Sequence, residues 1–126
     1  MPITKFLHAA LLVTNLEQAK HFYGTVLGLP EIERNLKYPG AWYQVGEFQF
    51  HLIACPTVPH SEVNREKLGQ NRHLAFAVTD LEILKIRLEA EGYTVQMSAS
   101  GRPALFTQDP EGNVIELGVF AGEAQQ

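Results

Sequence analysis

Cysteine is nearly missing from this chain: Cys55 is the only one. That rules out an intrachain disulfide and any zinc site built from several thiolates. Cys55 itself is expected to be a small, buried apolar residue. Basic charge is scarce as well. Ten Lys and Arg face fourteen Asp and Glu, for a net charge of −4, and the ten are scattered along the sequence. Neither nucleic acid nor an anionic lipid surface is an expected partner. Long apolar runs are also lacking, since the stretch Phe6 to Val13 falls far short of the roughly 20 residues of a membrane-spanning helix. The start MPITKF leads into no apolar segment with a small-residue cleavage site, so no signal peptide is expected and a cytoplasmic location is. Glycine-rich phosphate loops are absent too. What remains is 126 residues, 45% apolar and 19% charged, enough for one ordinary domain or two small halves sharing a core.

Self-comparison shows which. His8-Ala-Ala-Leu-Leu-Val-Thr-Asn-Leu-Glu-Gln-Ala-Lys20 lies over His73-Leu-Ala-Phe-Ala-Val-Thr-Asp-Leu-Glu-Ile-Leu-Lys85 at a constant offset of 65, with seven of thirteen positions identical. Unrelated segments would match at roughly one. The unit is duplicated. In each copy a strand ends near Val13 or Val78, and Asn15 or Asp80 supplies a helix N-cap. Ala19, Phe22, Tyr23, Val26 and Leu27 form an apolar stripe at helical spacing. Leu81, Leu84 and Leu88 form another, which Ile83 and Ile86 are expected to widen. Gly28 and Gly92 stand where a helix stop is wanted. Strands are expected at about 31–37, 41–46 and 47–55, then at 93–98, 103–108 and 113–120, with turns at Pro39-Gly40, Gly46, Gly101 and Asp109-Pro110-Glu111-Gly112-Asn113. The pattern is βαβββ twice: module one at about 1–55, a linker at 56–71, and module two at about 72–121.

The chemistry-bearing residues follow the duplication. Phe50-His51-Leu52 falls on Ile115-Glu116-Leu117 at the same offset, so His8, His51, His73 and Glu116 occupy the first and last strands of both modules. Strand alternation puts Phe48, Phe50 and Leu52 on one face and Gln49, His51 and Ile53 on the other. It likewise turns Glu116 away from Ile115, Leu117 and Val119. Ala10, Ala75 and Ala77 are the small same-face neighbours of the two first-strand histidines, which leaves space above the sheet. One lone histidine on a strand is ordinarily structural; four ionisable positions related by one duplication argue for a site. Three imidazoles and a carboxylate suit a borderline divalent ion: zinc, nickel, cobalt, manganese or ferrous iron. His21 and His60 lack this support and are read as surface residues. Arg34 and Arg102 are candidates to anchor an anionic group of a small-molecule substrate, whereas Arg72 is read as a solvated charge. Of Trp42 and Tyr43, neighbours on one strand, one faces the core and the other the cleft.

At these residues the chain resembles the vicinal oxygen chelate superfamily, the glyoxalase, bleomycin-resistance and extradiol-dioxygenase group. The resemblance rests on His8 with LVTNLEQAKHFYGTVLGL, His51 in FQFHLIA, His73 with LAFAVTDLE, and Glu116 in LFTQDPEGNVIEL. It implies a single domain over 1–126 of the α+β class, with two βαβββ modules whose mixed sheets form a U around one divalent metal ion. It also implies a homodimer in which a site can be assembled from both subunits. Members bind a substrate through two neighbouring oxygens and stabilise an enediolate or related oxyanion. In ligand layout the chain is most similar to bacterial glyoxalase I, with His8, His51, His73 and Glu116 as the metal ligands. Glu116 would then be the catalytic base, moving a proton between adjacent carbons. Position 51 departs from the pattern: glyoxalase I carries Glu there, and the related epimerase of methylmalonyl-CoA carries Gln.

Extradiol dioxygenases and fosfomycin-modifying thiol transferases resemble the subset His8, His73 and Glu116. A fourth ligand at His51 counts against both, because it would take a position those enzymes leave for oxygen or substrate. Fosfomycin enzymes also usually carry a Thr shortly after the first histidine and an Arg beyond the last strand. This chain has Ala9 and Ala10 in the first place and no Arg in 121–126. A non-enzymatic binding protein of the bleomycin-resistance kind is the remaining alternative. Such members generally lack the ligands, whereas all four positions are filled here.

Overall fold

Each half of the sequence builds the same sheet. The computed structural model describes residues 1–35 and 37–120. Leu36, inside the expected strand 31–37, and Ala121, the last residue of the expected second module, lie outside the described residues, as does the arginine-free tail. The chain divides into two compact units, Met1–His60 and Ser61–Gln126. The first holds β1 (His8–Val13), α1 (Leu16–Lys20), a π-helical turn (His21–Val26), β2 (Glu31–Ile32), β3 (Gly40–Val45) and β4 (Phe48–Ala54). The second holds a 3₁₀ turn (Leu68–Gln70), β5 (His73–Val78), α2 (Leu81–Ala90), β6 (Gln96–Met97), β7 (Ala104–Gln108) and β8 (Val114–Val119). The sheet orders are β1-β4-β3-β2 and β5-β8-β7-β6. In each, the first strand runs parallel to the last and the remaining pairs are antiparallel. The helix between first and second strands is what permits that parallel pairing. This is the α+β architecture of two βαβββ modules.

The helix signals act as their chemistry predicts. Asn15 Oδ1 accepts the Gln18 N–H at 3.0 Å, and Asp80 Oδ1 accepts the Ile83 N–H at 3.1 Å. Each satisfies one backbone donor that the helix start leaves unpaired. Gly28 and Gly92 both adopt φ of +82°, a backbone that stops a helix and that only glycine takes without strain. The cores differ in detail from the sequence expectation. Ala19, Phe22, Tyr23 and Val26 are buried, but after Lys20 the helix widens into a π-turn, closed by Leu27 N–H donating to the Phe22 carbonyl at 2.9 Å. Leu84 and Leu88 are buried, whereas Ile83 and Ile86 are 46% and 58% exposed. At about 100° per residue both isoleucines point well over 90° away from the leucine stripe, so they do not widen it.

The second and sixth strands are shorter than expected, two residues each. After Ile32 the chain curls, and the Arg34 guanidinium donates to the carbonyls of Tyr38 and Gly40. After Met97 the serine-rich turn 98–101 begins, with Ser98 N–H donating to the Ala104 carbonyl at 2.9 Å. The stretch expected to be a linker is in part a built piece of the second unit. Leu68 is 1% exposed and forms a cluster with Phe106, Val114 and the half-buried Val63. Gln96 holds this segment, accepting Leu68 N–H at 2.9 Å and donating to the carbonyls of Arg65 and Glu66. Cys55 is half-buried rather than buried. It lies one residue beyond β4, where its N–H still donates to the Val13 carbonyl.

Candidate metal centre

Strand alternation places the candidate ligands on the sheet faces opposite the helices. In the first unit, β1 aligns His8 with Gln49 and Ala10 with His51 of β4, and β3 aligns Trp42 with His51. Partners across a ladder share a face. His51 therefore lies between two rings: His8 at a centroid distance of 4.2 Å and 16° off parallel, and Trp42 at 4.3 Å and 9°. This sandwich leaves His51 only 7% exposed. Burial, then the neighbouring His8, then Arg34 hold its pKa below the ordinary imidazole value. His51 is thus neutral at pH 7, the form in which imidazole binds metals. Its Nε2–H donates to Gln49 Oε1 at 2.9 Å, which leaves Nδ1 with the lone pair. The choice left open at 42 and 43 is resolved here: Tyr43 is fully buried on the core face, and Trp42 faces the site.

In the second unit, β5 aligns Ala75 with Glu116 of β8, and β7 aligns Phe106 with Glu116. His73 Nε2 lies 3.0 Å from Glu116 Oε1, with His73 and Glu116 side chains 24% and 15% exposed. His73 Nδ1 lies 2.7 Å from the Asn71 carbonyl. A carbonyl only accepts, so the Nδ1 proton is fixed there and Nε2 is turned to the carboxylate. Metal-ligating histidines are oriented in this way, one ring nitrogen donating to a carbonyl and the other directed at the ion. Two donors about 2.1 Å from one cation and at a right angle would lie about 3 Å apart. The His73–Glu116 pair therefore fits a divalent metal. Phe106 packs edge-on to His73, with centroids 5.6 Å apart. Arg102 Nη1 donates to Glu116 Oε2 at 3.2 Å.

The expected ligands are thus met as two pairs, His8 with His51 and His73 with Glu116, each on its own unit. Among the described residues, no group of three or more His, Cys, Asp and Glu side chains forms a ready metal cluster. The two candidate anion anchors differ. Arg34 is engaged by the carbonyls of Tyr38 and Gly40 and lies over the Tyr38 ring, while Arg102 stands on the site face, its side chain 56% exposed. Arg72, read as a solvated charge, donates to Ser61 Oγ at 2.7 Å. His21 and His60 are exposed. The sequence reading did not single out Gln49 or the Asn71 carbonyl. Gln49 shares strand parity with His51, a signal that was available; a main-chain acceptor leaves no trace in a sequence.

The family model of the Glyoxalase/Bleomycin resistance protein/Dioxygenase superfamily matches residues 5–117. The chain belongs to this superfamily. A curated relative, Glyoxylase I 4 of Arabidopsis thaliana, is 25% identical over 122 residues, covering 91% of this chain and 70% of that protein. The crystal structure of a glyoxalase family protein from Enterococcus faecalis superimposes with a TM-score of 0.70 at 25% identity, covering 93% of this chain and 98% of the other. A lactoylglutathione lyase from Agrobacterium tumefaciens gives a TM-score of 0.66 at 23% identity, covering 94% and 96%; that likeness is one of fold. Among the described residues, no helix of this glyoxalase-superfamily protein is long and apolar enough to cross a membrane.

Proposed function

We propose that this protein is a divalent-metal-dependent enzyme that isomerises a small-molecule substrate by moving a proton between adjacent carbons, in the manner of a lactoylglutathione lyase. One observation carries the reading. His73 has its Nδ1 proton engaged by the Asn71 carbonyl and its Nε2 directed at Glu116 Oε1, 3.0 Å away. The metal would be held by His73 and Glu116, together with His8 and His51, the ligands expected from the sequence. Bound, it would act as a Lewis acid on substrate oxygens and acidify the neighbouring C–H.

The residues of the chain supply the rest. Glu116 takes a proton from one carbon and returns it to the next, so the carboxylate ends as it began and the substrate is only rearranged. Phe106 and Trp42 flank the ligand pairs with apolar surface, which keeps water from competing for the proton. Neutral His51 adds no positive charge where a cation is to bind. Arg102 is the candidate for an anionic group of the substrate, and the working assembly is a homodimer.

The test is metal analysis together with turnover. Protein purified without added metal and then loaded with nickel, cobalt or zinc should consume the methylglyoxal–glutathione hemithioacetal. Glu116→Gln and His73→Ala should each lower metal affinity by at least about tenfold and lower kcat by about two to four orders of magnitude. Wild-type metal content in both variants would remove the ligand assignment. Normal metal binding without turnover would leave the site and refute the reaction.

A further inference from the structure

Small residues stand on one side of Glu116. Its register partner on β5 is Ala75, and Gly118 beside it would bring an added Cβ to 3.4 Å from Ala104 Cβ and 4.0 Å from Glu116 Oε2. Phe106, the partner of Glu116 on β7, flanks it on the other side, and both carboxylate oxygens are met by polar partners. Those partners divide its two oxygens: His73 faces Oε1 and Arg102 takes Oε2. Arg102 is held in turn. Its Nε donates to Ser100 Oγ at 3.1 Å, and Ser100 Oγ lies 2.9 Å from Ser98 Oγ. The turn is closed by Ser98 N–H on the Ala104 carbonyl, and it is tied to β8 by Val119 N–H on the Pro103 carbonyl, each at 2.9 Å. A continuous chain of hydrogen bonds therefore runs from the β6–β7 turn to one oxygen of the candidate base.

We propose that Arg102 is a positioning residue: by engaging Oε2 it presents Glu116 Oε1, together with His73 Nε2, to a divalent cation. The proposal rests on the reading of Glu116 as a metal ligand. An exposed ion pair by itself contributes little to stability. Outer partners of a ligating carboxylate matter in another way, because losing one typically costs 10- to 100-fold in metal affinity. The guanidinium suits this task since its Nε and Nη1 serve Ser100 and Glu116 together, in a planar fork that a lysine ammonium cannot reproduce.

The test is titration of metal-stripped full-length protein with Co²⁺, followed by visible absorption, for the wild type, Arg102→Met, Arg102→Lys, Glu116→Gln and the Arg102→Met/Glu116→Gln double variant. Arg102→Met should bind Co²⁺ about 10- to 100-fold more weakly, with Arg102→Lys between it and the wild type. In the Glu116→Gln background the same change should cost less than about twofold, because the residue it positions is gone. Ser100→Ala, which removes the anchor of Nε, should weaken binding in the same direction and replaces Arg102→Met if that variant does not fold. Wild-type affinity in Arg102→Met, or equal losses in both backgrounds, would overturn the positioning role. Wild-type affinity in Glu116→Gln would instead refute Glu116 as a ligand, a result distinct from the first two.

Discussion

Tyr43 and His51 lie on opposite faces of one sheet, and each shows how burial sets the chemistry of a titratable side chain. Among the described residues, the buried Tyr43 hydroxyl has no hydrogen-bond partner. Burial, then Glu31 and Glu17, push its pKa up from 10.0 to about 12. Because the folded value is raised, the native state holds this proton more tightly than the unfolded chain. The associated stability is therefore complete below pH 10 and is lost as pH rises toward 12. Tyr43→Phe removes the orphaned hydroxyl and keeps the ring, which packs against Phe50 at a centroid distance of 6.2 Å. We expect a gain of up to about 1 kcal/mol near neutral pH and a shallower loss of stability above pH 10, read from urea midpoints between pH 7 and 11. A loss of more than about 1 kcal/mol at pH 7 would mean the hydroxyl is satisfied after all. Burial of His51 acts in the opposite direction, favouring the neutral ring. Strand parity alone placed His51 opposite Phe50; its enclosure between His8 and Trp42 depends on cross-strand register, which a single sequence does not display.

At the scale of elements, the local signals were legible and the long-range ones were not. Asn15, Asp80, Gly28 and Gly92 announce helix ends because each acts on backbone groups within a few residues. The π-turn after Lys20 was not legible, since one inserted residue changes the apolar spacing too little to be seen. The short β2 and β6 were not legible either: the chain leaves the sheet where Arg34 and Ser98 find partners several residues ahead. The segment 61–71 misled most. Its polar composition reads as a linker, yet one leucine and one glycine make it a lid on Phe106. A Cβ added to Gly69 would stand 2.7 Å from Phe106 Cζ and 3.0 Å from Cε1. Phe106 has little room to yield, being packed between Leu68, Val114 and the edge of His73. Gly69→Ala should therefore destabilise the protein by about 1–3 kcal/mol, measured as a lowered urea midpoint. An unchanged midpoint would show that the 3₁₀ turn lifts away at small cost.

For the molecule as a whole, duplication explains both what the sequence disclosed and where the halves diverged. The offset of 65 carries His8 onto His73 and His51 onto Glu116, and both units keep the same strand order. Trp42 and His51 are separated by eight residues and Phe106 and Glu116 by nine, so the aromatic aligned across the ladder with the last-strand candidate moves by one place, from Trp42 in one unit to Phe106 in the other. Divergence at 51 and 116 gives one unit an imidazole pair and the other an imidazole–carboxylate pair. Those pairs make different predictions for metal loading. If the quartet acts as a single set, Co²⁺ titration saturates at one ion per chain, and His8→Ala in one unit weakens binding as surely as His73→Ala in the other. An ion that binds only the folded protein adds about 2.7 kcal/mol of stability at one hundred times its Kd, so the thermal midpoint should rise with Co²⁺ in the wild type and much less in either variant. Were His73 and Glu116 sufficient by themselves, His8→Ala would keep both the midpoint shift and the stoichiometry. Two ions per chain would mean that each duplicated unit binds on its own, and the doubling would have produced two sites instead of one shared site.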